Sequence, residues 1–182
     1  MIPYANEPTT DNFAKWRIDA MCRFIMDLNT DAPILDIGPR SFATEKFESA
    51  FLTRRGGIDS TLDCDFNSEV KAPRGDYETI ICTEVLEHVM NPLHFITNVA
   101  VLMQPKGMLI LSTPCRKPHV ESMHFAEYTK KSLDILFGYA GLSIVKYELA
   151  HPMKFWWHFT GFRPFYRMFF HHYHFYALTK NA

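Results

Sequence analysis

A chain of 182 residues with 47% apolar side chains has enough material for one domain with a buried core. Its formal net charge of -1 gives no general attraction to nucleic acid, and no apolar run reaches the roughly 18 residues of a membrane-spanning helix. The first residues, MIPYANEPTT, lack the pattern of a signal peptide, and the four cysteines form no CxxC pair. These features predict a reduced cytoplasmic protein with a single domain over 1–182.

The predicted elements alternate between helices and strands. Helical spacing of apolar residues predicts helices over 11–28, 42–55, 91–103 and 129–139, with Pro92 opening the third and Thr129 capping the fourth. The predicted strands are, in chain order, APILDIG, IDSTLDCDF, DYETIIC, GMLILSTP, LSIVKYEL and HFYALTK. This alternation predicts a doubly wound, mostly parallel α/β sheet. The last two strands have no amphipathic helix between them, so we expect antiparallel pairing at one edge.

Polar residues follow three of the predicted strands. Gly38 follows the first strand, Asp63 and Asp65 end the second, and the tripeptide CTE at 82–84 ends the third. In doubly wound sheets, ligands bind beyond the carboxyl ends of the strands, where the strand order reverses. These residues are therefore expected on one binding edge.

One long segment carries a family resemblance. Residues 77–114 read YETIICTEVLEHVMNPLHFITNVAVLMQPKGMLILSTP. This segment resembles the centre of class I S-adenosylmethionine (SAM)-dependent methyltransferases, in particular the small-molecule group with an E-V-L-E-H-V element. The resemblance continues in MHFAEYTKKSLDILFGYAGLSIVKYE, and ILDIG is similar to the first strand of that family. It implies a Rossmann-like fold and SAM as cofactor.

The resemblance also implies roles for individual residues. Asp36 supports the first loop and the amino end of the cofactor, and Gly38 lets the backbone approach the cofactor closely. Cys82, Thr83 and Glu84 line the methionine side. An acid at the end of the second strand accepts hydrogen bonds from the ribose, because a carboxylate accepts through two oxygens. Asp63 and Asp65 are both candidates for that acid, with Asp59 behind them.

The chain departs from the family pattern in two places. The glycine-rich loop is reduced to GPRSF, which keeps one glycine. Arg40 is a candidate to compensate by binding the carboxylate of the cofactor. The second departure is a short connection between Asp65 and Tyr77, which leaves room for a loop or a very short strand where the family fits a helix and a strand.

Two histidines are candidates for catalysis. His124 lies where the resemblance places a histidine near the acceptor, as a base or a substrate contact, and it can also be an ordinary loop histidine. His88 is a candidate base, or a residue that stabilises the turn after the third strand. Methyl transfer needs a base only if the acceptor must lose a proton. The histidine spacings predict no metal site.

The two ends of the domain carry additional features. Residues 1–30 are predicted to form an N-terminal helical cap, and 151–172 form an aromatic and basic insertion before the last strand. The insertion has several interpretations: a packed connection, part of an acceptor pocket, a homodimer surface, or a contact with an anionic membrane. Stacking on single-stranded nucleic acid is the weakest interpretation, because the chain as a whole is not basic.

These observations predict a SAM-dependent methyltransferase that acts on a small molecule. Oxygen is the expected acceptor atom, on a sugar, a lipid-linked compound or an aromatic metabolite. The degenerate loop supports an alternative, a methyltransferase-like protein that no longer catalyses and serves in binding or interaction. A nicotinamide-dependent dehydrogenase is disfavoured, because the chain lacks the G-x-G-x-x-G fingerprint.

Overall fold

The computed structural model describes residues 12–28, 30–51, 57–61, 65–115, 124–151 and 172–181. The helices of this part are α1 Asn12–Met26, α2 Phe42–Phe51, α3 Pro92–Val101 and α4 Lys130–Tyr139, with a 3-10 turn at Leu86–His88. Its strands are β1 Ile34–Asp36, β2 Ile58–Ser60, β3 Tyr77–Thr83, β4 Met103–Pro114, β5 Leu142–Ala150 and β6 Tyr173–Lys180.

The strands form one sheet in the order β2-β1-β3-β4-β6-β5. The first four strands of the chain are parallel, and β6 runs antiparallel to both β4 and β5. The predicted doubly wound sheet with antiparallel pairing at one edge is therefore confirmed. The antiparallel strand β6 lies one place inside the sheet, and β5 forms the edge.

Helices cover both faces of the sheet. The face under α1 and α2 buries Phe24 and Phe47 together with Ile81 and Phe175. The opposite face, under α3 and α4, buries a second cluster that includes Phe95, Phe137 and Tyr176. Neighbouring residues of β3 alternate between the two clusters, because successive strand side chains point to opposite faces.

The helix boundaries follow local sequence signals. Asn91 caps α3 by accepting a hydrogen bond from the backbone of His94, and Pro92 occupies the first turn. Thr129 and Ser132 form a reciprocal capping box at the start of α4. Gly141 ends that helix with φ of +73°, a conformation in which glycine is favoured.

Some lengths differ from the prediction. Within the described residues, β2 is shorter than the predicted second strand, while β4 begins four residues before the predicted GMLILSTP. Residues 65–76 contain turns and irregular backbone without a helix or strand, as expected for the shortened connection. Residues 52–55 of the predicted second helix, 1–11 of the N-terminal cap and 152–171 of the aromatic insertion lie outside the described residues.

The topology defines the binding edge. After β1 the chain adds β2 on one side, and β3 then joins the opposite side of β1. The order therefore reverses between β1 and β3, and a ligand is expected beyond the carboxyl ends of these two strands.

Candidate active site

The end of β1 forms one wall of this edge. The Asp36 side chain is buried, and its Oδ2 accepts a hydrogen bond of 2.6 Å from the Thr44 hydroxyl on α2. Burial raises the pKa of Asp36 to about 7, and the hydrogen bond from Thr44 opposes part of that rise. Two residues later, Gly38 has φ of +129°, and among the described residues no atom beyond its two chain neighbours lies within 4 Å of the position that a Cβ would take. A ligand can therefore approach this backbone closely.

Side-chain hydrogen bonds fix the GPRSF loop after β1, which keeps one glycine. The amide of Gly38 donates 2.8 Å to the hydroxyl of Thr61, directly after β2. Both terminal nitrogens of Arg40 donate to the carboxylate of Glu48 on α2. The guanidinium is thus engaged on the surface of α2, and the binding of a cofactor carboxylate by Arg40 stays a prediction.

The end of β3 forms the opposite wall. Cys82 is fully buried, and Glu84 directly follows the strand with φ of +56°, an uncommon value for a residue with a side chain. The Glu84 carboxylate accepts 2.8 Å from the Ser112 hydroxyl on β4 and 3.0 Å from Nη1 of Arg17 on α1. The strand end, its neighbour β4 and the N-terminal helix therefore meet at this carboxylate.

Carboxyl groups are concentrated at this edge. The pKa of Cys82 is raised well above its usual value by burial, and the charges of Glu87, Asp36 and Glu84 add to the rise. The Cys82 thiol consequently stays protonated, which argues against a nucleophilic role for it. An edge lined by carboxyl groups suits a cationic ligand.

The candidate ribose acids have different surroundings. Asp63 lies outside the described residues. Asp65 is exposed and accepts hydrogen bonds of 3.0 Å and 3.1 Å from the backbone and side chain of Asn67, within its own turn. Asp59 accepts from the Tyr77 hydroxyl and pairs with Arg74, both at 3.0 Å, so it joins β2 to the start of β3. Neither Asp63 nor Asp65 is assigned to the ribose by these contacts.

A group that we call the histidine cluster consists of Glu87, His88 and His124. Glu87 and His88 lie in the 3-10 turn after β3, and His124 comes from the segment after β4. The ligand-type atoms of the three side chains lie within 4.8 Å of one another. The two imidazole rings meet edge to face, with centroids 4.9 Å apart. The structure therefore brings together both predicted catalytic histidines.

Two further residues hold the cluster in place. The Thr113 hydroxyl donates 3.1 Å to Oε2 of Glu87, whose side chain is buried. Nδ1 of His124 lies 3.1 Å from Oε1 of Glu127, whose side chain is 0% exposed. With that carboxylate as acceptor, Nδ1 of His124 is the donor of this hydrogen bond.

Glu87 has unusual electrostatics. Its pKa is raised well above the usual value by burial and then by the negative charge of Glu84, while Thr113 and Arg17 oppose the rise. A buried carboxyl group whose charge is this unfavourable is typical of sites that bind a cation or handle a proton.

The sequence predicted some of these residues and missed others. Arg17, Glu87 and Glu127 were not singled out, although Glu87 lies inside the E-V-L-E-H-V element and Glu127 follows His124 at a spacing of three. The sequence also predicted no metal site. Two imidazoles and one carboxylate are nevertheless a donor set that can hold a divalent metal, and only folding brings them together.

The comparisons with known proteins agree with this fold. A family model described as a methyltransferase domain matches residues 13–176. The chain belongs to this methyltransferase family. The identification as a class I SAM-dependent methyltransferase fold, made from the 77–114 segment, is thereby confirmed.

Three relatives illustrate the range of similarity. A ubiquinone biosynthesis O-methyltransferase of Shewanella pealeana is 41% identical over 64 residues, which cover 34% of this chain and 27% of the relative. One from Xanthomonas oryzae is 25% identical over 126 residues, covering 63% and 53%. The chain thus spans about a quarter to a half of the length of these curated relatives.

The third relative is a solved structure. The 1,6-didemethyltoxoflavin-N1-methyltransferase of Burkholderia thailandensis, crystallised with 1,6-didemethyltoxoflavin and S-adenosylhomocysteine, matches with a TM-score of 0.66 and 15% identity. The match covers 94% of this chain and 80% of that protein. At this identity the likeness supports the methyltransferase fold.

Among the described helices, none is long and apolar enough to cross a membrane.

Proposed function

We propose that this methyltransferase transfers a methyl group from SAM to an oxygen of a small-molecule acceptor. The observation that carries the proposal is the placement of the histidine cluster directly after β3, at the edge where the strand order reverses. In our proposal His124, held by Glu127, acts as the proton acceptor there. A base is needed when a hydroxyl loses its proton during methylation, and an acceptor without a dissociable proton does not need one.

The part of the site at the ends of β1 and β3 fits SAM. The open backbone at Gly38 allows close approach, and the carboxyl groups of Asp36 and Glu84 suit a ligand that carries an ammonium and a sulfonium. In our proposal Asp36 and Gly38 support the methionine end, and the backbone of Thr83 and Glu84 lines it. SAM supplies an activated methyl group, so the protein contributes mainly alignment of donor and acceptor.

The second part of the site, at His124, removes a proton from the acceptor. In our proposal Nε2 of His124 takes the hydroxyl proton, and Glu127 fixes the tautomer and stabilises the resulting imidazolium. The acceptor is a phenol or alcohol. The names of the curated relatives, which are ubiquinone biosynthesis O-methyltransferases, support an oxygen acceptor.

Cofactor binding is the first test. S-adenosylhomocysteine at about 100 times its Kd should stabilise the protein by about 2.7 kcal/mol, measured by thermal or urea unfolding. The absence of any shift with millimolar SAM or S-adenosylhomocysteine would contradict the proposal. Methyl transfer from labelled SAM to catechol or to a methyl glycoside then tests the acceptor class. We expect His124→Gln to lose this transfer while it retains cofactor binding.

One observation favours a second candidate, a methyltransferase-like binding protein without catalysis. Two polar groups of the GPRSF loop have partners within the protein, because the Gly38 amide donates to Thr61 and Arg40 pairs with Glu48. This candidate predicts no stabilisation by SAM. The unfolding measurement therefore separates the two functions.

A further inference from the structure

A pocket of about 340 Å³ lies beyond the carboxyl end of β4, where β5 ends and β6 begins. Its walls come from Tyr147 and Leu149 on β5, His174 on β6 and the start of α4. We propose that this cavity, which we call the ring pocket, binds an aromatic ring that carries a carboxylate, with Lys130 as the partner of the carboxylate. That the ring belongs to the methyl acceptor rests on the proposed function, whereas its binding does not.

The ring pocket lies beside the histidine cluster on the same face of the sheet. Leu111 of β4 belongs to the core under α3 and α4, so Thr113 and Cys115, at two-residue spacings, point to that face as well. Thr113 donates to Glu87 of the cluster, and Cys115 lines the pocket about 7 Å further along the chain. A single aromatic ring can therefore reach from the cluster into the pocket.

Hydrogen bonds connect the wall of the ring pocket to the turn after β3. The Tyr128 hydroxyl donates 3.4 Å to the carbonyl of Leu86 in that turn, and the Tyr128 carbonyl lies 3.2 Å from Nε2 of His174. With that carbonyl as acceptor, Nε2 of His174 is the donor, and Nδ1 accepts from the Tyr147 hydroxyl at 3.1 Å. Burial lowers the pKa of His174, which favours this neutral form. The wall is thus formed before a ligand enters, as is usual for small-molecule sites.

The size and lining of the ring pocket favour a single ring. Pockets for small molecules have volumes of about 300–1,000 Å³ and are lined mainly by apolar and aromatic side chains, so this pocket lies at the small end of the range. Tyr128, Tyr147 and Leu149 supply such a lining. Leu149 is 50% exposed although it is a large apolar residue, and a bound ring covers it.

The charge of the ring pocket favours an anion. Among the described residues that line it, none is an aspartate or glutamate, and Lys130 is positively charged. Burial lowers the pKa of both His172 and His174, so these two imidazoles are neutral at pH 7. The carboxyl groups of the site lie at the ends of β1 and β3. A cationic cofactor and an anionic acceptor are therefore attracted to different parts of the binding edge.

Lys130 has the capacity to bind a ligand. Its ammonium group donates 2.6 Å to Oδ2 of Asp134 and lies 4.8 Å from the centre of the Tyr147 ring. The Lys130 side chain is 47% exposed, and an exposed ion pair of this kind contributes little to stability. An ammonium group also has three protons to donate. Lys130 can therefore donate to a ligand carboxylate while it stays at the wall of the pocket.

The test is direct binding of a charge series, with no need for methyl transfer. NMR titration measures the Kd of 3-hydroxybenzoate, of its neutral analogue 3-hydroxybenzamide and of the cationic 3-hydroxybenzylamine. We expect one 3-hydroxybenzoate per chain, bound about 10-fold more tightly than the amide because of its charge-assisted hydrogen bond, and the weakest binding for the amine. No saturable binding of 3-hydroxybenzoate, or equal Kd values for the acid and the amide, overturns the proposal.

Matched variants identify the partner of the carboxylate. Lys130→Gln should weaken binding of 3-hydroxybenzoate by about 10-fold and leave the Kd of the amide unchanged, whereas Lys130→Arg should keep the preference for the acid. Lys131→Gln removes a positive charge at the next position, which is exposed and lies outside the pocket lining, so it should bind as the wild type does. Unchanged binding by Lys130→Gln, or equal losses in Lys130→Gln and Lys131→Gln, overturns the proposal.

Two further variants on β5 locate the ring. Leu149→Glu places a carboxylate in the pocket and should weaken binding of 3-hydroxybenzoate by about 10-fold or more through repulsion and loss of apolar contact. Val145→Glu adds the same charge to the same strand outside the pocket lining and should be neutral. Both positions are exposed, at 50% and 54%, so both variants are expected to fold. Equal Kd values in the two variants contradict the proposed location.

Titrations with and without S-adenosylhomocysteine keep the two proposals distinguishable. Binding of S-adenosylhomocysteine without binding of 3-hydroxybenzoate overturns the ring pocket alone. Binding of 3-hydroxybenzoate without binding of S-adenosylhomocysteine leaves the ring pocket and overturns the proposed function.

Discussion

Asp36 shows how one residue at the binding edge can oppose stability. Its carboxyl group is fully buried, and the hydrogen bond from Thr44 only partly offsets the lost hydration. A residue of this kind is expected where function requires a charge that folding disfavours. The same edge contains Gly38 and Glu84, both with positive φ.

The first prediction concerns the pH dependence of stability. The pKa of Asp36 is about 7 in the folded protein, against the ordinary value of 3.8, so the folded state keeps a proton that the unfolded state releases between these values. The contribution of Asp36 to the free energy of unfolding is therefore favourable at low pH and is lost as the pH rises through the range between these two pKa values. The stability of Asp36→Asn relative to wild type should increase by up to roughly 4 kcal/mol between about pH 4 and pH 8.

Urea unfolding across this pH range provides the measurement. Asp19→Asn, a change at an exposed carboxylate on α1, serves as the control for the loss of one carboxyl group. A flat difference between Asp36→Asn and wild type would mean that the Asp36 carboxyl group is already ionised in the folded protein at low pH.

The second prediction concerns the Gly38 backbone. Gly38→Ala introduces no steric contact with the part of the chain that the structure describes, because nothing there lies within 4 Å of the new Cβ, but it places alanine at φ of +129°. The strain should cost about 1–3 kcal/mol and weaken binding of S-adenosylhomocysteine. Gly57→Ala has equal space without a positive φ and should be close to neutral. Equal stabilities of the two variants in urea unfolding would refute the strain argument.

At the scale of single elements, α4 tests the link between sequence and helix boundaries. The Thr129 hydroxyl accepts a hydrogen bond from the backbone amide of Ser132, and the backbone amide of Thr129 donates one to the Ser132 hydroxyl in return. The helix then buries Leu133 and Phe137 against the sheet, while Asp134 accepts 2.9 Å from the hydroxyl of Tyr176 on β6. The start of α4 thus helps to place a helix that contacts the central strands.

The third prediction follows from that cap. Thr129→Ala should lower the free energy of unfolding by about 1 kcal/mol, because the first turn of α4 loses its side-chain acceptor. Thr129→Ser keeps a hydroxyl at the same place and should retain most of the stability. Chemical denaturation of both variants provides the measurement. A serine variant as unstable as the alanine variant would assign the loss to the methyl group instead of the cap.

At the scale of the whole molecule, Arg17 joins the N-terminal helix to the binding edge. It lies on α1, pairs with Glu84 at 3.0 Å and is 5.5 Å from the centre of the Tyr173 ring on β6. Three regions that are distant in the sequence therefore meet at one guanidinium group. The Glu84 side chain is 9% exposed, so removal of Arg17 takes a cation away from a largely buried carboxylate.

The fourth prediction tests this connection. Arg17→Ala should cost about 1–3 kcal/mol of stability, because it leaves the Glu84 carboxylate poorly compensated. It should also weaken binding of S-adenosylhomocysteine, since Glu84 follows the strand end that lines the proposed site. Lys15→Ala removes a positive charge from an exposed position on the same helix and is the control. If both variants keep wild-type cofactor affinity in calorimetry, α1 does not contribute to the site.

Local chemistry explains why much of the fold was predictable. Asn91, Pro92 and Thr129 act on backbone within their own helices, and the alternation of strands and helices follows from the apolar pattern. The short connection after Asp65 was predicted from the small number of residues between Asp65 and Tyr77. The limits of β2 and β4 were less well predicted, because strand ends depend on pairing partners that are distant in the sequence.

Periodicity and motif spacing are local properties of the sequence, and they were enough to predict the fold class, the family and the edge on which Asp36, Gly38 and the CTE tripeptide lie. Which side chains meet at that edge depends on the packing of the folded chain. Arg17 reaches Glu84 over 67 positions, and His124 comes within 4.9 Å of His88 between ring centroids. Such contacts depend on how helices and loops pack against the sheet, so no local pattern could have predicted the histidine cluster.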